Sequence, residues 1–175
     1  EKNNTKANEY LDKIKKSGTY IQNGYSLTNK LIKNKDYAIA LPILDDLIQK
    51  AKEDKVVGQN YMTALSSLYG TALYETGNYE KAAITVQEQI SNNRNATNSA
   101  TMNLLLANAF TKVGNDLDAF LTLEKFTVKN GKNPEVETLL KSLYEKLNNN
   151  KGDYNKYSAS LESQIKEATL AKYKA

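Results

Sequence analysis

Residues 68–90 read LYGTALYETGNYEKAAITVQEQI, and this stretch decides the fold. Tyr69 and Leu73 before the break at Thr76, Gly77 and Asn78, and Tyr79, Val86 and Ile90 after it, recur at helical spacing. Gly77 and Asn78 mark a tight turn between the two segments. Small residues (Gly70, Ala82, Ala83) stand among the large ones, so the two helices can approach closely and interlock.

Weaker copies of this unit lie on both sides. Before it, the spacing predicts helices over 6–16, 20–34 and 36–53, with Gly18 ending the first. The second carries Ile21, Leu27, Leu31 and Ile32 on one face; the third carries Tyr37, Ala40, Leu41, Leu44, Leu47 and Ile48. Pro42 lies inside the third and is expected to kink or interrupt it, because proline removes a backbone donor. After it, residues 91–95 read as a polar loop, and helices are expected over 97–113, 117–129, 134–147 and 153–173. Their expected apolar faces include Val113, Phe120, Leu147 and Tyr157. Pro134 suits a first helical position, where its missing N–H costs nothing. No period-two pattern survives, so the expected class is all-α.

The turns recur. Lys35, Gly77, Gly114 and Gly152 lie about 40 residues apart, each followed by Asp or Asn and three of them then by Tyr. A helix–turn–helix repeated at this period is the mark of a helical solenoid. In these residues the chain resembles the tetratricopeptide repeat family over about residues 20–170. The match is best where Gly70, Leu73, Tyr74, Gly77, Asn78, Tyr79 and Ala82 stand, and fair at Ala107, Phe110, Gly114 and Ala119. Gln89, Phe126 and Tyr157 depart from it by replacing small residues. The resemblance implies one α-solenoid of antiparallel pairs, about three to four repeats, with an extra N-terminal helix over 1–19. Its repeats are 20–54 (degenerate), 57–95, 97–133 and 134–175, the last degenerate and acting as a cap. The order of segments is also similar to exported tetratricopeptide proteins of Gram-negative bacteria. Residues 151–175 are similar to the helical lead-in before a thioredoxin-like module.

By the family's register the concave face carries Gln22, Tyr25 and Asn29, then Ser67, Thr71 and Tyr74, then Leu104, Asn108 and Lys112. Amides pair with peptide backbone and tyrosines add area with one polar tip, so this face implies a peptide or protein partner. Tyr25 and Tyr74 can equally pack on neighbouring helices. Some members grip a terminal carboxylate with Lys and Asn; here Tyr25, Ser67 and Leu104 occupy the cationic or paired places, so no such clamp is expected.

Composition removes other classes. The chain has no Cys and no His, which excludes Cys–His and Ser–His–Asp catalysis and argues against zinc, haem or iron–sulfur sites. No cofactor is expected. The net charge of +4 is almost wholly lysine, with Arg94 the sole arginine, so a nucleic-acid partner is not expected either. No apolar run is long enough to span a bilayer. The polar start without Met suggests a processed export precursor or a piece of a longer chain. Asp45 with Asp46, and Asp116 with Asp118, invite a metal reading, but adjacent helical acids point apart and no calcium loop surrounds them. Asp116 and Asp118 fit a helix amino terminus better. Asn3 and Asn95 begin matches to the glycosylation sequon, which an Asn-rich chain produces by chance. The expected function is a non-enzymatic adaptor, exported or in the bacterial cell envelope, or otherwise cytoplasmic. The rivals are an accessory or dimerisation domain of a larger exported enzyme, and an enzyme using Tyr or Lys chemistry.

Overall fold

The computed structural model describes residues 9, 12, 13, 19–53 and 58–174. Glu9, Asp12 and Lys13 are helical, and the rest of the helix expected over 6–16 lies outside the described residues. The helices are α1 (Tyr20–Lys33), α2 (Tyr37–Glu53), α3 (Gln59–Glu75), α4 (Tyr79–Asn92), the short α5 (Arg94–Thr97), α6 (Ala100–Lys112), α7 (Asp116–Asn130), α8 (Pro134–Leu147) and α9 (Tyr154–Lys174). No strand occurs among the described residues. The protein is all-α, built of successive helices packed on their neighbours, as a helical repeat requires. The chain divides into two compact units, residues 1–85 and 86–175, with the division inside α4.

One turn chemistry recurs. Asp36, Asn78 and Asn115 each donate the backbone N–H to the carbonyl five residues back: Leu31, Leu73 and Phe110, all at 2.8 Å. The residue before each is left-handed: Lys35 at φ 63°, Gly77 at 83° and Gly114 at 80°. This closes the orphan carbonyls of one helix end. The same Asp or Asn then opens the next helix, its carbonyl accepting the N–H of Ala40, Ala82 or Ala119. Those three alanines are fully buried, which lets paired helices lie close.

The fourth turn corrects the expected alignment. Its left-handed residues are Asn149 (φ 51°) and Asn150 (φ 58°), not Gly152, and Asn150 donates to the Glu145 carbonyl at 2.8 Å. Asn tolerates this conformation better than most side chains. The next helix is capped only at Asp153, whose Oδ1 accepts from Lys156 N at 3.1 Å. Lys151, Gly152 and Asp153 are therefore extra relative to the other turns. Four residues past that cap stands Tyr157 in the alanine position.

Other expectations also change. Pro42 does not interrupt α2. It sits on the exposed side, next to solvent that can serve the unpaired carbonyl one turn back. Residues 91–95 are not a loop: Asn93 alone separates α4 from α5, and its Oδ1 caps α5 by accepting from Asn95 N at 2.9 Å. α6 begins at Ala100 because Ser99 Oγ accepts from Met102 N at 3.3 Å. Val113 and Leu147, expected on buried faces, lie at helix ends and are 40% and 39% exposed. Phe120 is half-buried.

In the unit of residues 1–85, α2 packs on α1 and on α3, and α1 also touches α3. Ile43, Leu44, Leu47, Leu65, Tyr69 and Leu73 form the core. Burying a leucine side chain contributes about 2 kcal/mol. The fully buried positions of α1 are not its large residues but Gly24 and Thr28. A Cβ on Gly24 would lie 2.5 Å from Leu47 Cδ2, so α1 and α2 meet closely there. In the unit of residues 86–175, α7 packs on α6, α8 and α9 around Ala107, Ala119, Leu123, Phe126, Val136, Leu140, Leu143 and Leu161.

Candidate functional site

The expected binding residues fall into two sets, one per unit. Tyr25 and Asn29 lie on α1, and Ser67, Thr71 and Tyr74 on α3, two helices in direct contact. All five side chains are half-buried. Leu104, Asn108 and Lys112 lie on α6. Counted back from the left-handed turn residues, Tyr25, Ser67 and Leu104 are equivalent, as are Asn29, Thr71 and Asn108. Thr111, not Lys112, is the equivalent of Tyr74. Gln22, one turn before Tyr25, is exposed.

Several of these side chains also carry packing. The Tyr25 ring meets the Tyr61 ring with centroids 5.2 Å apart, and the Tyr61 hydroxyl donates to the Ile21 carbonyl at 3.2 Å. Tyr61 thus forms the α1–α3 seam, a role the sequence reading missed. Burial, then the nearby Tyr25, raises the Tyr61 hydroxyl pKa, so it stays neutral. Tyr74 sits edge-on to Tyr79 across its own turn, centroids 5.2 Å apart. Thr71 Oγ1 donates to the Ser67 carbonyl at 2.8 Å. Leu104 packs against the core of its unit.

One property joins α1, α3 and α6. Residues 20–29, 59–74 and 95–111 contain no Asp, Glu, Lys or Arg, in a chain whose charged share is 25%. On α1 and α3 the charges enter only near the turn end, at Lys30, Lys33 and Glu75. The hydroxyls, amides and phenols of these helices can accept and donate hydrogen bonds but offer no ionic contact.

The acids stand elsewhere and are engaged. Asp45 Oδ1 accepts from the Tyr69 hydroxyl at 2.5 Å and lies 3.7 Å from Lys81 Nζ, which itself sits 5.3 Å above the Tyr69 ring. Asp46 accepts from the Tyr20 hydroxyl. The two acids diverge to α3 and α1, as adjacent helical positions must. Asp116 pairs with Lys146 Nζ at 2.6 Å, joining the start of α7 to the end of α8. Among the described residues no group of three or more acids, His or Cys could hold a metal ion. No described helix is long and apolar enough to cross a membrane.

In the second unit, Phe120, Tyr144, Tyr154 and Tyr157 form a ring cluster. Tyr144 and Tyr157 stack at 4.7 Å and 22°; Phe120 lies 5.6 Å from Tyr157. The Tyr157 hydroxyl donates to Glu124 Oε1 at 3.0 Å. Burial, then the Glu124 carboxylate, pushes the Tyr157 hydroxyl far above its ordinary pKa. Gly152 belongs to this cluster: a Cβ there would lie 2.6 Å from the Tyr144 ring. The cluster closes α7, α8 and α9 together and has a packing role. Lys132, just before α8, reaches α9 and α8, with Nζ 2.5 Å from Glu162 and 3.5 Å from Glu137.

Compared with known proteins, the chain matches no protein-family model and no curated relative.

Proposed function

We propose that the protein is a non-enzymatic, tetratricopeptide-like scaffold that binds a peptide or protein segment through the face of α1 and α3. The observation that carries this reading is the repeated turn. It sets α1 and α3 side by side and gives Tyr25, Asn29, Ser67 and Thr71 equivalent places on them. Such a face suits recognition of peptide backbone by amides and hydroxyls. The acidic side chains with chemistry to offer are taken up by Tyr20, Tyr69, Lys81 and Tyr157 in packing. The segment order, similar to that of exported bacterial tetratricopeptide proteins, favours the envelope of a bacterium as its place. Peptide display against the full chain, followed by calorimetry of the selected peptides, tests the reading. Tyr74→Ala is expected to weaken binding. Ile84→Ala, at a side chain 67% exposed on α4, leaves binding unchanged. Peptides whose affinity ignores Tyr74→Ala would overturn it.

A second reading, an accessory or dimerisation domain of a larger exported enzyme, is favoured by one observation. Leu117 and Leu121, one turn apart on α7, are 56% and 46% exposed. Exposed apolar side chains grouped in this way mark contact surfaces. Sedimentation at rising concentration tests self-association: it is expected to be abolished by Leu121→Glu, and a monomer at every concentration contradicts dimerisation.

A further inference from the structure

We infer that the α1/α3 face selects an uncharged peptide segment rich in hydroxyl and amide side chains and holds it with little dependence on salt. The inference rests on the peptide-binding reading above and narrows its ligand.

The face is defined by what it lacks as well as by what it carries. Residues 20–29 and 59–74 hold no charged side chain, although charges make up 25% of the sequence. A ligand carboxylate or ammonium laid on this surface loses hydration and finds no counter-charge among residues 20–29 and 59–74, which disfavours it strongly. A neutral hydroxyl or amide pays far less and finds matching groups. Thr71 spends its hydroxyl proton on the Ser67 carbonyl, so toward a ligand it accepts. The Asn29 amide has both a donor and an acceptor. Tyr25 and Tyr61 present half-buried rings, and the Tyr61 hydroxyl, which donates to the Ile21 carbonyl, resists ionisation. The unit does hold acids, but Asp45 and Asp46 on α2 are committed to Tyr69, Lys81 and Tyr20. With no ionic term to screen, association has little electrostatic steering and affinity is set by short-range contacts.

The test uses the full chain and immobilised peptides of equal length in three sets: neutral (Ser, Thr, Asn, Gln, Gly, Tyr), acidic and basic. A parallel set of neutral oligosaccharides is included. Binding is read at low salt and at roughly molar salt, where the Debye length falls to about 3 Å. Neutral peptides are expected to bind best, with affinity changing less than about twofold between the two conditions. Asn29→Ala and Thr71→Val are each expected to weaken that binding roughly 3- to 10-fold, the loss of one hydrogen bond, with helix content unchanged. Preference for acidic or basic peptides that is sensitive to salt and to Asn29→Ala overturns this inference and keeps the peptide reading. Binding of oligosaccharides without peptides overturns both, as does peptide binding that neither substitution alters.

Discussion

The first and last helix pairs solve the same packing problem in opposite ways. In the unit of residues 1–85, α1 and α2 meet over small residues: Gly24 lies against Leu47, and Ala40 fills the close position at the start of α2. In the unit of residues 86–175, the equivalent of Ala40 is Tyr157, and α7, α8 and α9 meet over rings. Three extra residues, Lys151, Gly152 and Asp153, precede that helix, and Gly152 passes beneath the Tyr144 ring. Turn chemistry keeps the repeat's register in both units, while the residue one turn past the cap sets how helices space. The outcome also divides the labour. The small-residue pair leaves an uncharged surface on α1 and α3, and the ring cluster spends its aromatic groups on cohesion.

Substitutions can break this contrast. Tyr157→Ala should have the largest effect, about 3 kcal/mol of lost stability in urea unfolding followed by circular dichroism, because it removes a ring from a packed cluster. Tyr157→Phe keeps the ring and loses only the bond to Glu124, about 1 kcal/mol. Next, Gly24→Val should cost about 2 kcal/mol by overpacking against the fully buried Leu47. A neutral result there would mean that α1 and α2 are less closely apposed than Gly24 indicates. Smaller again, Gly77→Ala should cost about 1 kcal/mol, since its left-handed backbone suits no Cβ. Lys35→Gly at the equivalent turn should gain somewhat less than 1 kcal/mol. Alkali acts on both units. The hydroxyls of Tyr20 and Tyr157 are held protonated above the ordinary value of 10.0, by burial first and then by their carboxylate partners. The folded chain therefore keeps protons that the unfolded chain releases. Stability is full below pH 10 and falls as pH rises through the tyrosine range, and Tyr157→Phe should flatten that fall.

Much of the fold was legible because helix periodicity and turn residues are local. Gly77 with Asn78, Gly114 with Asn115, and Lys35 with Asp36 announce their turns in sequence. The fourth turn was misread because Asn148, Asn149 and Asn150 precede a more conspicuous glycine. Gly152 serves a ring contact that depends on tertiary packing. Asn93 reads as loop in sequence because a single residue can both end one helix and cap the next. For the candidate face, the repeat register gives Tyr25 with Ser67, and Asn29 with Thr71, equivalent places on α1 and α3. It did not reveal Tyr61 or the close contact at Gly24, since both depend on which helix lies opposite.

The central claim is that the uncharged α1/α3 surface is where a ligand sits, and that the exposed leucines of α7 are not. Backbone amide resonances of the full chain, followed while a neutral peptide from the array is added, test it most directly. The account predicts shifts concentrated at Tyr25, Asn29, Ser67 and Thr71, with Leu117 and Leu121 unmoved. Shifts centred on Leu117 and Leu121, with α1 and α3 silent, would contradict it.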